Sequence, residues 1–327
     1  MILITGGAGY IGSHTALEFL KNNFSVVIFD NLENGHIETV DFLKAQGNVT
    51  FEQGDLKNFE DINKVFDKYE IDAVIHFAGY IRIEESVQNP EKYYTNNVNG
   101  TLNLLNAMRE HNVNKIVFSS SCATYGEPQY IPIDEKHPQN PVNPYGESKL
   151  IIEKKLADYD KNYNIKSIIL RYFNVIGCEE NSNIGEWHMP ETHVIPNILR
   201  VSLVKDTEFK IFGNDYDTPD GTCIRDYVDV NDLANAHLLA YKYLNHENKS
   251  ETFNLGSEKG ISVKEIFETC EKVIGKKIPV KYVERRKGDT EKLCANSTKA
   301  KLLLGWKPAH SLEDSIKTAY KWEKKLR

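Results

Sequence analysis

The chain reads as an α/β protein: a Rossmann-type doubly wound parallel sheet followed by a smaller C-terminal α/β substrate-binding lobe. Three features predict it. A glycine loop (Gly6, Gly9, Gly12) stands at the very start, between an apolar run and a helical pattern. Short β-branched runs then alternate with helical patterns through the first half, the order that builds a parallel sheet covered by helices on both faces. Ser121 closes one of those runs, and Tyr145, with Lys149 four residues on, opens a helix.

The first strand is Met1 to Ile4, and Ile11, Ala16, Leu17, Phe19 and Leu20 mark the helix after it. Strand, tight turn, helix is the context a dinucleotide fingerprint requires. Gly6 permits the sharp exit from the strand, Gly9 lets backbone approach a pyrophosphate, and Gly12 lets the helix pack closely on the sheet. The free amides at that helix start face the phosphates. A second run, Ser25 to Phe29, ends in Asp30, near the distance at which an acidic residue meets the adenosine ribose. A carboxylate there accepts from ribose hydroxyls and repels a 2′-phosphate, so NAD is expected rather than NADP.

Further strands are expected at Val49 to Glu52, Ala73 to Phe77, Ile116 to Phe118 and Ile168 to Leu170. The loop from Glu127 to Pro144 carries five of the 11 prolines and reads as a stiff connection that passes the active site. After about Asn174 the alternation weakens. Residues 1–174 are therefore expected to hold the dinucleotide and 175–327 the substrate, with Val228 to Tyr243 (helix) and Thr252 to Leu255 (strand) returning to the sheet.

A chain of 327 residues, 40% hydrophobic, can bury a large core. Its 40 basic residues are scattered among 47 acidic ones without a basic stripe, which argues against nucleic acid. Cys122, Cys178, Cys223, Cys270 and Cys294 are odd in number, widely spaced and form no C-x-x-C pair with a histidine cluster, so free thiols in a reducing cytoplasm and no metal site are expected. The N-terminus reads as a core strand rather than a leader, and no apolar run approaches the ~20 residues that span a bilayer.

The chemistry centres on Tyr145 and Lys149, which share a helix face. A phenol with a pKa of ~10 is a poor base at neutral pH, but a nearby ammonium and a cationic nicotinamide ring favour the phenolate. Tyr145 then accepts an alcohol proton as hydride leaves the same carbon, and Ser121 hydrogen-bonds that oxygen. A tyrosine and a lysine one turn apart are common on surface helices; the upstream serine and the glycine loop give the pair its meaning.

Seven segments carry a resemblance: T-G-G-A-G-Y-I-G-S-H from Thr5, H-F-A-G from His76, N-N-V-N-G-T from Asn96, S-S-S-C-A-T-Y-G from Ser119, P-Y-G-E-S-K from Pro144, R-Y-F-N from Arg171 and I-F-G-N-D-Y-D-T-P-D-G-T-C-I-R-D-Y from Ile211. From end to end the chain resembles the UDP-glucose 4-epimerases, an extended short-chain dehydrogenase/reductase family. The resemblance implies NAD contacts from Gly6, Gly9, Tyr10, Ile11, Gly12, Asp30, Asn31, Asn34, Asp55, Leu56, Phe77, Ala78, Gly79, Asn96, Ser119, Tyr145, Lys149 and Tyr172. It implies contacts with UDP-glucose or UDP-galactose from Ser121, Tyr145, Asn174, His193, Val194, Phe212 against uracil, Arg225, Arg286, Asp289 and Leu293. Two arginines suit a pyrophosphate because their donors are forked and permanently charged. A salt bridge from Arg225 to Asp226 or Asp229, and plain core packing of Phe212, are the competing readings.

Two positions depart from the pattern. A lysine that the family often carries just after H-F-A-G is absent, Arg82 standing nearby, and Leu293 replaces the tyrosine or small residue that gates the C2 side of the hexose. A 4,6-dehydratase needs an added acid and base after the serine, where this chain has Cys122 and Ala123. Epimerases of N-acetylated or uronic sugars, a decarboxylase, and an NAD-sensing protein without catalysis remain open alternatives. The resemblance also implies a homodimer, with helices around Asn99 to Glu110 and Ser148 to Asn162 as its contact.

Overall fold

The computed structural model describes residues 1–286 and 289–327. Its strands are β1 (Ile2–Thr5), β2 (Val26–Asp30), β3 (Val49–Gln53), β4 (Ala73–His76), β5 (Lys115–Ser121), β6 (Lys166–Tyr172), β7 (Asn174–Ile176), β8 (Phe209–Phe212), β9 (Ile224–Asp229), β10 (Glu251–Leu255), β11 (Gly260–Ser262) and β12 (Val280–Val283). Helices α1 (Tyr10–Lys21), α2 (Ile37–Lys44), α3 (Phe59–Lys68), α4 (Ile83–Gln88), α5 (Pro90–Tyr93), α6 (Gly100–Glu110) and α7 (Pro144–Tyr163) alternate with the early strands. The later helices are α8 (Val194–Leu203), α9 (Val230–Glu247), α10 (Val263–Ile274), α11 (Thr298–Leu304) and α12 (Leu312–Lys325).

Seven strands form one sheet in the order β10-β6-β5-β4-β1-β2-β3, every neighbour parallel. The chain leaves β1 toward one edge and β4 toward the other, which opens a crevice at their carboxyl ends where dinucleotides bind in such sheets. Both faces are apolar because both are covered. Ile2, Ile4, Val26 and Ile28 pack under α1 and α9 with Phe19, Leu233 and Tyr241. Leu3, Val27, Phe29 and Val74 pack on the other face with Leu104, Met108 and Ile152 of α6 and α7. The period-two alternation of a strand sorts the residues between the two layers. A three-stranded sheet (β11-β9-β7) and a two-stranded one (β12-β8) lie outside the main sheet.

Two local expectations change. Strand β5 runs on through Ser119, Ser120 and Ser121, because each pairs in register with β6 (Ser121 opposite Tyr172), a partner a serine run does not advertise. At Gly12 an added Cβ comes 2.3 Å from the Gly6 carbonyl oxygen, so the glycine lets the helix sit on the turn rather than on the sheet.

Three histidines are buried uncharged. His76 bonds Thr5 (2.6 Å) and Thr101 (2.8 Å), while His14 and His237 each use Nδ1 on a backbone carbonyl and leave Nε2 buried without a partner. Burial lowers their pKa values to about 4 (His14), about 3 (His76) and about 4 (His237). The unfolded chain takes up these protons near pH 6.5 and the folded chain does not, so stability is full above that pH and lost as it falls toward 4. Each group costs about 1.4 kcal/mol per pH unit in that window. Urea unfolding at pH 7.5, 6 and 5 is expected to show the decline, and His14→Phe to make it shallower; an unchanged slope contradicts the assignment.

Candidate active site

The carboxyl ends of the central strands bring the glycine loop, Asp30, His76, Ser121 and Tyr172 to one edge of the sheet. Gly6 turns at φ +72°, and an added Cβ comes 2.7 Å from the Ala78 amide nitrogen, so only glycine lets the loop close on Phe77-Ala78. Helix α1 has Gly9 as its N-cap, with no side-chain cap and no acidic residue in its first turn. The one atom near an added Cβ at Gly9 is the Gly6 carbonyl oxygen at 3.3 Å, so the approach to these amides is open. An uncapped, open helix start fits an anionic pyrophosphate.

Asp30 is buried at the end of β2, its carboxylate accepting from the amides of Ala8 (3.0 Å) and Leu32 (2.9 Å). Burial raises its pKa and these two bonds oppose the rise. Asn31 donates to Asp55 at 3.2 Å beside buried Leu56, whereas Asn34 is exposed. The Tyr10 phenol is buried and donates to the Gly177 carbonyl (2.7 Å). Ile11, on α1, is partly buried against the core. Asn96 donates to Asn97 (3.1 Å), and buried Asn97 organises the site from behind, bonding Tyr80 backbone on both sides and Ser148. An added Cβ at Gly79 comes 3.2 Å from Asn97 Oδ1.

Asn143 caps α7 through the Gly146 amide (2.8 Å) and Pro144 opens its first turn, which presents Tyr145 and Lys149 on one face toward β5. Lys149 is 4% exposed and its ammonium donates to the Ser119 carbonyl at 2.8 Å. The Ser119 hydroxyl shares a hydrogen bond with the phenol of Tyr172. Burial lowers the Lys149 pKa to about 8, opposed by the carboxylate of Glu153. Tyr145 is not activated by the chain alone: burial pushes its phenol up to about 12, with a bond from Ser121 opposing. The Lys149 ammonium lies 5.9 Å from the Tyr145 ring centroid.

Asn174 donates to the Asp226 carbonyl (3.1 Å), and Arg225 bonds the Ile224 carbonyl (2.9 Å). Asp226 and Asp229 are occupied by other donors, Ser257 and Ala295 on the first, Asn231 and Ser315 on the second. The Arg286 guanidinium sits 4.5 Å from the Phe212 ring centroid with Asp289 at 3.3 Å, so those three residues form one group. His193 and Val194 open α8, with His193 paired to Glu186 at 2.6 Å and Glu191 at 3.1 Å. Burial opposes a charge on His193, yet the two carboxylates raise its pKa overall. Leu293 is half-buried against the cluster of Tyr125, Ile133, Phe173 and Ala295, on which Cys122, the residue after Ser121, also packs. Arg82 turns to Glu85 (3.1 Å).

A buried ion pair escaped sequence reasoning. Arg171, 7% exposed, forks onto Glu153, 5% exposed, which also accepts from Ser120 (2.5 Å) and Gln139 (2.9 Å). Arg171 bonds Tyr125, whose phenol donates to Asn254 on β10 (2.6 Å). The signal was the i, i+4 spacing of Lys149 and Glu153 on one helix face, with R-Y-F-N across the sheet.

A family model described as GDP-mannose 4,6 dehydratase matches residues 3–319. The UDP-glucose 4-epimerase of Lactobacillus helveticus is 51% identical over 324 residues, 99% of this chain and 97% of that protein. A crystal structure of UDP-glucose 4-epimerase, 45% identical, superposes with a TM-score of 0.95 over 99% of this chain and 97% of the other. The enzyme of Bifidobacterium longum, in complex with NAD+ and UDP, is 37% identical with a TM-score of 0.93, covering 99% of this chain and 98% of that one. The sheet, the glycine loop and the matched family model together define an extended short-chain dehydrogenase/reductase. Within that class the chain belongs to the UDP-glucose 4-epimerase family.

Proposed function

We infer that the chain interconverts UDP-galactose and UDP-glucose by inverting C4 of the hexose through a bound 4-keto sugar, with NAD retained throughout. The observation that carries this reading is the approach of Ser121, Tyr145 and Lys149 at the carboxyl edge of a dinucleotide-type sheet. NAD, when bound, would supply the hydride acceptor and donor. The glycine-loop amides take its pyrophosphate and Asp30 its adenosine ribose. Tyr145 takes the proton of the 4-hydroxyl, Ser121 holds that oxygen, and Lys149 supplies the positive charge beside them. Phe212 lies against uracil while Arg225 and Arg286 neutralise the pyrophosphate. Binding concentrated on the nucleotide leaves the hexose free to rotate, since tight sugar contacts stabilise one ground state.

Protein purified and assayed without added cofactor is expected to convert UDP-galactose to UDP-glucose and, on denaturation, to release NAD(H). No conversion by NAD-loaded protein rejects the reaction; released NADP(H) rejects the reading of Asp30.

Leu293 sets the range. It is shorter than tyrosine, which leaves room for a 2-acetamido group, but offers that amide no hydrogen bond. Lesser activity on UDP-GlcNAc and UDP-GalNAc is therefore expected, and Leu293→Tyr should cut their kcat/KM about tenfold or more while changing the glucose pair much less. Equal losses on both pairs contradict the gate.

Residues 1–174, with 228–256 returning to the sheet, are proposed as the NAD-binding part and the remainder as the UDP-sugar lobe. All five cysteines are unpaired, which supports a cytoplasmic setting; among the described residues no helix is long and apolar enough to cross a membrane. A homodimer through α6 and α7 is supported by Tyr163, 47% exposed at the end of α7 beside Arg109. Sedimentation of Tyr163→Glu against the parent chain tests that contact.

A further inference from the structure

The segment leading into α8 carries Glu186, His188, Glu191 and His193, and each offers one ligand-type atom to a group within 4.8 Å of one another. Glu186 Oε1 is 2.6 Å from His193 Nδ1 and 3.2 Å from His188 Nδ1. Glu191 Oε1 is 3.1 Å from His193 Nδ1, and its Oε2 is 3.8 Å from His188 Nδ1. Donors ~2.0–2.2 Å from a tetrahedral zinc stand roughly 3.3 Å from one another, the middle of that range.

Ion pairing alone leaves part of this arrangement unexplained. The Glu191 side chain is 1% exposed, yet its Oε2 has no hydrogen-bond partner, and neither does buried His188 Nδ1. Arg200 approaches the same oxygen only to 3.5 Å. Glu191 Oε2 and His188 Nδ1, 3.8 Å apart, are too distant to bond each other, but well placed to bond one ion between them. Buried polar groups without partners are uncommon and call for an occupant.

We propose that Glu186, His188, Glu191 and His193 bind one first-row divalent cation, zinc foremost, as a four-coordinate structural site. Two imidazole nitrogens and two carboxylate oxygens form a borderline donor set that suits zinc better than calcium or magnesium. Two carboxylates also balance the dication. The ion fixes the loop that carries His193 and Val194. It does so on an anchored support: the Glu186 carbonyl accepts from Trp322 of α12 (2.8 Å), and Trp187 stacks on His36 at 3.7 Å, close to the Asp30 end of β2. The site therefore ties the α8 entry to the segment that follows β2.

Full-length protein stripped with chelator and dialysed against zinc chloride alone is expected to retain about one zinc per chain by mass spectrometry, with the melting temperature raised by roughly 5 °C at hundredfold saturation. His188→Ala and Glu191→Gln should each weaken binding about 10- to 100-fold. Cobalt(II) in the same protein should show the d–d absorption of a four-coordinate nitrogen and oxygen site without a thiolate charge-transfer band. Retention below stoichiometry, parental affinity in both variants, or a thiolate band that moves the metal to the cysteines overturns the proposal. Should a variant fail to fold, the cobalt spectrum of the parent chain decides.

Discussion

Tyr145→Phe is expected to lower kcat by about 10²–10⁴ while the melting temperature and bound NAD stay as in the parent chain. The substitution removes one buried phenol oxygen and keeps the ring that packs beside Lys149 and Ser121. Because burial holds the Tyr145 pKa near 12 in the chain alone, the group depends on charge delivered when the site fills. Lys149→Met should therefore lose activity as well and push the remaining pH optimum upward, whereas Ser121→Ala should cost less. Turnover measured with cofactor content checked in each sample decides the matter; near-parental activity in Tyr145→Phe overturns the assignment of the proton acceptor.

The second large effect is on stability. Arg171→Met strands the Glu153 carboxylate inside the protein with only Ser120 and Gln139 as partners, and breaking a buried pair from one side costs about 3–5 kcal/mol. Glu153→Gln should cost less, because an amide still accepts from Arg171 and donates elsewhere. The double change Arg171→Met with Glu153→Leu should recover much of the loss, since removing both charges also removes their desolvation penalty. Urea unfolding of the parent chain, Arg171→Met, Glu153→Leu and the double variant gives the coupling directly, and additive losses contradict a paired origin. Glu153 lies one turn beyond Lys149 on α7 and raises its pKa, so Glu153→Gln should also shift the pH profile of turnover toward lower pH.

The glycine loop, the alternation of the early strands and the helix at Tyr145 were legible because each is local: turn chemistry, period-two runs and an i, i+4 spacing all fit within a dozen residues. The C-terminal extension of β5 was not, because Ser119 to Ser121 have no strand preference of their own and are held by register with β6. The fate of the Tyr10 phenol was hidden for the same reason, its acceptor Gly177 lying far along the chain. The i, i+4 spacing of Tyr145 and Lys149 gave their neighbourhood, but neither the 5.9 Å from the ammonium to the ring centroid nor the depth of burial could be read along one helix. Glu186, His188, Glu191 and His193 stand in plain view in the sequence, yet outside a helix or strand no periodicity says that their side chains converge.

The place of β10 has a consequence for how the molecule is made. It covers the outer edge of β6, but it is synthesised about 80 residues after that strand ends. At ribosomal speeds of about 5–20 residues per second, that edge stays open for roughly 4–16 s. During that interval the nascent polypeptide presents unpaired backbone along β6, beside the unpartnered Asn254 site on Tyr125. A chain stalled or truncated before Leu255 should therefore be an aggregation-prone client of chaperones rather than a stable half-protein.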